Sequence, residues 1–513
     1  MEGGGLMQNP EQTRQEKGIT TLGSAAYAVS AIGREATLAC VNIFFLAFLN
    51  IYMGLDVMVL TVAFVLIRVL DSLTNPLLAS VVNNSRRGRW GRYRPWMLIG
   101  AATNCAALIL MFLPVNVESS ILRHAWYIAM FLLWGLTFTL LDVPVWAMIP
   151  TIANSTEDRN KVSSLSRLVG NFGGFILISL GTSLIIPKVA ASRGVGWAHF
   201  VLGLAAAAMV LLFISITAMC TKERYELPED KISPREVFGM FRQNDQLAAH
   251  ALSYLLLLAG IMTAMEQQIY LFIYYGDMGG LGLLSQGVGY MVFSIIGGLG
   301  LGFSMMFYDL IVKKIPREKV YGASFFLAAF GMAALYCIFY ALRGQYGAWG
   351  GESAKWVNVV LVALAAFPFF TASGISQIGS TVMVADITDY GEWKTGRRSD
   401  SVIFSVQTLL SKLATAASTL IIGIGIKAAR LPAITQRFNE AVGEFEYMFI
   451  DEAGAAVSTG ALDVLRAFMF LAPIPLCAAG YIIYKKKYWL YGRRYEEIKR
   501  EAEARRGEKE IES

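Results

Sequence analysis

Apolar residues along this chain gather into long runs separated by short polar turns. A helix rises 1.5 Å per residue, so about 20 apolar residues cross the hydrocarbon of a bilayer. Twelve runs reach that length, near 22–51, 56–83, 95–115, 124–150, 161–187, 196–220, 246–276, 285–312, 318–343, 355–385, 400–429 and 462–486. Lipid offers the backbone no hydrogen bonds, so each run must satisfy its own as a helix. The pattern predicts an all-α membrane protein of twelve transmembrane helices in two six-helix halves. Residues 1–220 hold the first half with its tail, 221–245 a polar middle loop, 246–487 the second half, and 488–513 a charged, solvated tail.

Charge fixes the expected orientation. The turns at 49–56 and 276–287 carry no Lys or Arg, whereas Arg86–Arg94, Arg159–Lys161, Lys222–Arg242, Lys313–Lys319, Lys394–Arg398 and Lys485–Arg494 are basic. Basic loops stay in the cytoplasm, which predicts a multi-pass protein of the cell (inner) membrane with both termini inside. The mixed-charge insert 428–461 then lies outside, where a surface helix over the outer mouth is expected.

Of the 513 residues 55% are hydrophobic and 16% charged, below the roughly 25% of soluble proteins. The net charge of +6 resides in the loops, so it calls for no nucleic acid partner. Five cysteines lie scattered without a C-x-x-C pair, which excludes a disulfide framework or zinc site. Residues 1–17 lack the basic start and apolar core of a signal peptide.

The informative residues are those that break the apolar runs, since a charge inside a membrane helix costs about 2.5–3.5 kcal/mol on insertion scales. Asp71, Thr74 and Asn75 share one helix face, an oxygen set suited to sodium or to a carboxylate that takes a proton. The bland alternative pairs Asp71 with Arg68. Phe138, Thr139, Asp142 and Trp146 share a face of the fourth run. There a carboxylate can accept sugar hydroxyls while the indole stacks on the apolar face of the ring. Its alternative is a structural pair of Asp142 with Arg167. Arg34 and Glu35 point about 100° apart, so at most one pairs locally and the other faces a cavity. Glu266, Gln267 and Gln268 interrupt the seventh run, GGLGLG at 297–302 reads as close helix packing, and the three histidines, His124, His199 and His250, read as interfacial. No nucleophile triad, phosphate loop or metal cluster supports an enzyme.

Several segments together carry a family resemblance: DSLTNP, GRWGRYRPW, LLDVPVWAMIP, RQNDQL and MVADITDYGEWKTGRRSDSVIFSVQT. They resemble the glycoside–pentoside–hexuronide:cation symporters of the major facilitator superfamily, from about Gly18 to Tyr491, with the 428–461 insert outside the likeness. The resemblance implies a sugar site at Arg34, Glu35, Phe138, Asp142, Trp146 and Arg167, and a cation site at Asp71, Thr74, Asn75 and Thr139. Glu266, Gln267 and Gln377 are assigned to the same substrate set, as is Lys394, which also belongs to the inner gate or coupling network. Arg86, Arg92 and Arg94 are expected to pair with the Asp389, Glu392, Arg397 and Arg398 segment and close the inner side.

Two departures stand out. Asn75 replaces a family carboxylate and Phe138 a family tyrosine. One carboxylate attracts sodium less than two, which favours a proton at Asp71 while leaving sodium open. The expectation is a monomeric sugar:cation symporter with no cofactor besides its coupling ion, H+ or Na+. The alternatives are a carrier of lysolipids or other amphiphiles with the same fold, or a non-transporting membrane receptor.

Overall fold

A computed structural model describes residues 21–83, 85–153, 155–225, 243–266, 268, 270, 283–341, 351–395, 400–431, 434–439, 444–449 and 458–512. The first half consists of α1 (Thr21–Tyr52), α2 (Val57–Asn83), α3 (Tyr93–Met111), α4 (Ser120–Ile152), α5 (Thr156–Leu180, continuing through a π-turn at Gly181–Ile185 to Ile186–Arg193) and α6 (Val195–Cys220). The second consists of α7 (Asp245–Glu266), α8 (Leu283–Val312), α9 (Arg317–Ala341), α10 (Gly351–Thr395), α11 (Asp400–Ala429) and α12 (Gly460–Lys487). A final helix, α13 (Gly492–Glu512), follows.

Eleven of these helices are long and apolar enough to cross a membrane. The 27-residue α2, apolar apart from Arg68 and Asp71 over most of its length, makes twelve spans. Local chemistry sets their ends: Ser155 caps α5 by accepting from the Asp158 N–H at 3.0 Å, which satisfies a donor the helix cannot. Pro144 and Pro150 lie inside α4 and Pro368 inside α10, each removing one intrahelical hydrogen bond.

One sequence expectation needs correction here. The insert forms a β-hairpin rather than a surface helix: β1 (Ile434–Asn439) pairs antiparallel with β2 (Glu444–Phe449), Ile434 opposite Phe449. The run Glu444-Phe445-Glu446-Tyr447 alternates polar and apolar with period two, which suits a strand and gives a helix no continuous face. His199 and His250, near the starts of α6 and α7, are buried because aromatic neighbours enclose them. His199 packs on Tyr52 and Phe48 at 4.7 and 5.3 Å, and His250 on Tyr254 at 5.7 Å. The tail helix α13 is helical as expected but docks on α10, burying Ile498 and Ala502.

The halves meet along two seams, α2 against α11 and α5 against α8. In the first, Gly423 packs on Thr61 so closely that a Cβ at 423 would overlap the hydroxyl, and the Lys427 Nζ lies 3.1 Å from Asp56 Oδ2 at the seam's end. In the second, Gly298 lies against Phe175, and Gly297 and Gly300 pack on Phe370 and Phe367 of α10, which bears out close packing for GGLGLG. At the basic-loop end, by contrast, the described contacts stay within a half. Glu223 accepts from the N–H groups of Arg92 and Tyr93 at 2.8 Å, and Lys394 pairs with Asp245 at 2.7 Å.

Candidate functional site

The first polar cluster is built by α1, α4 and α5. Arg34 is buried and forks between two acids, with Nη1 3.0 Å from Asp142 Oδ1 and Nη2 2.7 Å from Glu35 Oε1. Its Cζ lies 4.6 Å from the centre of the Trp146 ring, and that of Arg167 lies 5.9 Å from the same ring. Trp146 stands one helical turn beyond Asp142, which is how a single face of α4 presents both to Arg34. The Tyr27 hydroxyl donates to the Val145 carbonyl and ties α1 to α4 there.

Arg34 thus pairs with both acids at once, and the partner of Asp142 is Arg34 rather than Arg167. Two carboxylates balance two guanidinium groups. Arg34 Nε is buried without a partner among the described residues, a donor left over at the cluster. Donors, acceptors and an indole face side by side form a surface complementary to a polyol ring.

The second cluster joins the two halves. Asp71 and Asn75 share a face as their spacing suggests, and Thr139 of α4 meets them as the resemblance implies, with its hydroxyl 2.9 Å from Asp71 Oδ1 and 3.0 Å from Asn75 Oδ1. Lys412 of α11 enters this group, its Nζ 2.7 Å from Asp71 Oδ2. Arg68 turns away, bonding Asn42 Oδ1 at 2.6 Å and lying 5.2 and 5.1 Å from the rings of Phe131 and Trp134. The Thr74 hydroxyl bonds the Asp71 carbonyl of its own helix at 2.9 Å and stays outside the cluster. Phe138 stacks on Trp134 at 5.5 Å, within the aromatic row beside Arg68.

Sequence reasoning passed over Lys412, although the signal was available: a lysine in the middle of an apolar run is itself an intramembrane charge. It also passed over a network in the second half. There His250 Nε2 lies 3.0 Å from Ser380 Oγ, which Gln407 Nε2 approaches at 3.4 Å, and the His250 ring stacks on Tyr254.

The other assigned residues lie elsewhere. Gln377 bonds Ser373 within α10 at 3.3 Å. Lys394 sits at the basic-loop end of α10 with Asp245, away from the first cluster. Arg94 donates to the carbonyls of Trp90 and Thr221 at 2.7 and 3.1 Å within its own half, and Arg86 is exposed. Asp389 accepts from Tyr495 of α13 at 3.2 Å, and Glu392 is half-buried at the same end of α10. Glu266 ends α7, while Gln267, Arg397 and Arg398 lie outside the described residues.

Intramembrane acids and arginines at the meeting of two six-helix halves point to solute transport, and the comparisons agree. Residues 26–486 match the family described as MFS/sugar transport protein. The chain belongs to that family. It is 24% identical to a lactose permease of Lactobacillus delbrueckii subsp. bulgaricus over 94% of this chain and 72% of the relative. It is 23% identical to a raffinose carrier protein of Pediococcus pentosaceus over 94% and 71%. Among solved structures, that of a D-xylose-proton symporter superposes with a TM-score of 0.56 at 14% identity, covering 91% of this chain and 96% of that one. This family member therefore has the major facilitator fold.

Proposed function

We propose that the protein is a secondary transporter that carries a glycoside or small oligosaccharide across the cell membrane by alternating access, driven by a cation through the cluster at Asp71. The observation that carries this reading is the Arg34 fork, which holds Asp142 and Glu35 beside the Trp146 ring. Asp142 and Glu35 would accept sugar hydroxyls, Arg34 and Arg167 would donate, and Trp146 would stack on the ring. The sugars named in the relatives' descriptions support the substrate class.

Buried ion pairs of this kind have a second use. Removing one partner leaves a charge uncompensated at a cost of about 3–5 kcal/mol, so a hydroxylated ligand that shares the charges is favoured over an apolar one. In this reading the basic loops and both termini are cytoplasmic, and the transporter works as a monomer.

The test is uptake in proteoliposomes against a panel of galactosides, glucosides, xylosides and free pentoses, with imposed proton and sodium gradients. Accumulation of one sugar class under one gradient is expected. Failure to bind or accumulate any sugar, with the protein folded and correctly inserted, overturns the reading.

A further inference from the structure

The resemblance to cation symporters implies a site for H+ or Na+ at Asp71, Thr74, Asn75 and Thr139, and the residues present argue against sodium there. Lys412 Nζ lies 2.7 Å from Asp71 Oδ2, 2.7 Å from Asn75 Oδ1 and 3.1 Å from Thr139 Oγ1. An ammonium has three N–H donors and no acceptor, and here each donor meets its own oxygen. Asn75 presents its carbonyl oxygen, since its NH2 would face a donor. Thr139 can give its one hydrogen to Asp71 or Asn75 and still accept from Lys412.

The group is closed as well as complete, with the Lys412 side chain 12% and that of Asp71 4% exposed. Its electrostatic surroundings are Asp71 and Arg68 of α2 and Asp142 of α4. From α1, Asn42 holds Arg68, while Arg34 and Glu35 face Asp142. From α7, which packs on α11, Tyr254 stands near Gln407. One ammonium matches the one carboxylate of the cluster, where the family pattern has two.

We infer that Lys412 is the resident cation of this site, a tethered ammonium that occupies the oxygens an alkali ion would need and so makes the protein blind to sodium. Sodium would have to take the same three residues from a group that the fold holds in place at high effective concentration, and would find one formal negative charge there. Lys412 is then the residue that sets ion specificity. The inference deepens the symporter reading and rests on it for its meaning in transport, but the occupancy of the site is testable without any sugar.

The experiment is thermal unfolding of the purified protein in NaCl and in choline chloride at equal ionic strength. A ligand bound only to the folded state raises Tm with its concentration. The wild type is expected to show the same Tm in both salts, within about 1 °C. Lys412→Ala and Lys412→Gln, which leave Asp71 without its ammonium, are expected to gain a sodium-specific rise of about 2 °C or more that saturates, whereas Lys412→Arg gains none. A sodium-specific rise in the wild type overturns the inference, and does so even where a variant fails to fold. Folded Ala and Gln variants that remain indifferent to sodium overturn it as well. Absence of sugar binding in every salt would instead count against the transport reading, so the two failures are told apart.

Discussion

Lys412 and Asp71 stand 341 positions apart in the chain, yet their charged atoms lie 2.7 Å from one another across the boundary between the halves. The pair sits at the midplane end of the α2–α11 seam, and Gly423–Thr61 and Lys427–Asp56 continue that seam away from the basic loops. The described contacts at the basic-loop end, among them Glu223 with Arg92 and Lys394 with Asp245, are made within each half. Arg397 and Arg398, which belong to the segment expected to meet Arg86, Arg92 and Arg94, lie outside the described residues.

Asp142→Asn is expected to weaken sugar binding about ten- to a hundredfold while the protein still inserts and folds. The variant keeps an acceptor oxygen but loses the charge, and a charge-assisted hydrogen bond is worth about 1.5–3 kcal/mol. Isothermal calorimetry on the purified protein measures this. An unchanged affinity would leave Asp142 as a partner of Arg34 and nothing more.

Gly423→Val places side-chain atoms where the Thr61 hydroxyl now lies, so the α2–α11 seam cannot close as it does here. Net uptake should fall steeply. A single cysteine at Thr419, which lines a small pocket with Asn42 and Arg68, should react faster with an impermeant thiol reagent applied from the side away from the basic loops. Equal labelling rates with and without the valine would show that the seam does not control access.

The Asp56–Lys427 contact should matter little to stability and vanish in acid. The N–H of Val59 and then the Lys427 ammonium hold the Asp56 carboxyl below its ordinary range. Stability from a depressed carboxyl is present above the unfolded value, near pH 4, and is lost as pH falls through the folded value. Both side chains are more than a third exposed, so solvent screening limits the effect to about 1 kcal/mol at most. The Tm difference between wild type and Asp56→Asn should be small at pH 7 and close below pH 4. A difference that grows in acid would contradict this assignment.

Single cysteines at Ser85, beside the arginine loop, and at Thr435, in the hairpin, should label from opposite faces of intact cells. Labelling of both from the same face would remove the proposed topology.

Much of this protein was legible from local patterns. A run long enough to cross a bilayer names a span wherever it occurs, and helical spacing alone set Asp71 with Asn75, and Asp142 with Trp146, on common faces. These relations need only the pitch of one helix, which the backbone fixes without reference to the rest of the chain. The strand β2 also carried a local signal, the alternation of period two over Glu444–Tyr447.

What the sequence did not decide is which charge meets which. Arg34 had Glu35 beside it and could have turned to either acid, and Arg68 stood three residues from Asp71 on the same helix. The structure gives Asp142 to Arg34, Asn42 to Arg68 and Asp71 to Lys412. Helical spacing makes a local ion pair available but contributes only about 0.2–0.5 kcal/mol. Packing α11 against α2 buries Lys412 among oxygens of α2 and α4, and in that dry setting three well-placed acceptors outweigh a partner one turn away. That choice is made by helices distant in sequence that share one interface, and so only the tertiary structure could make it.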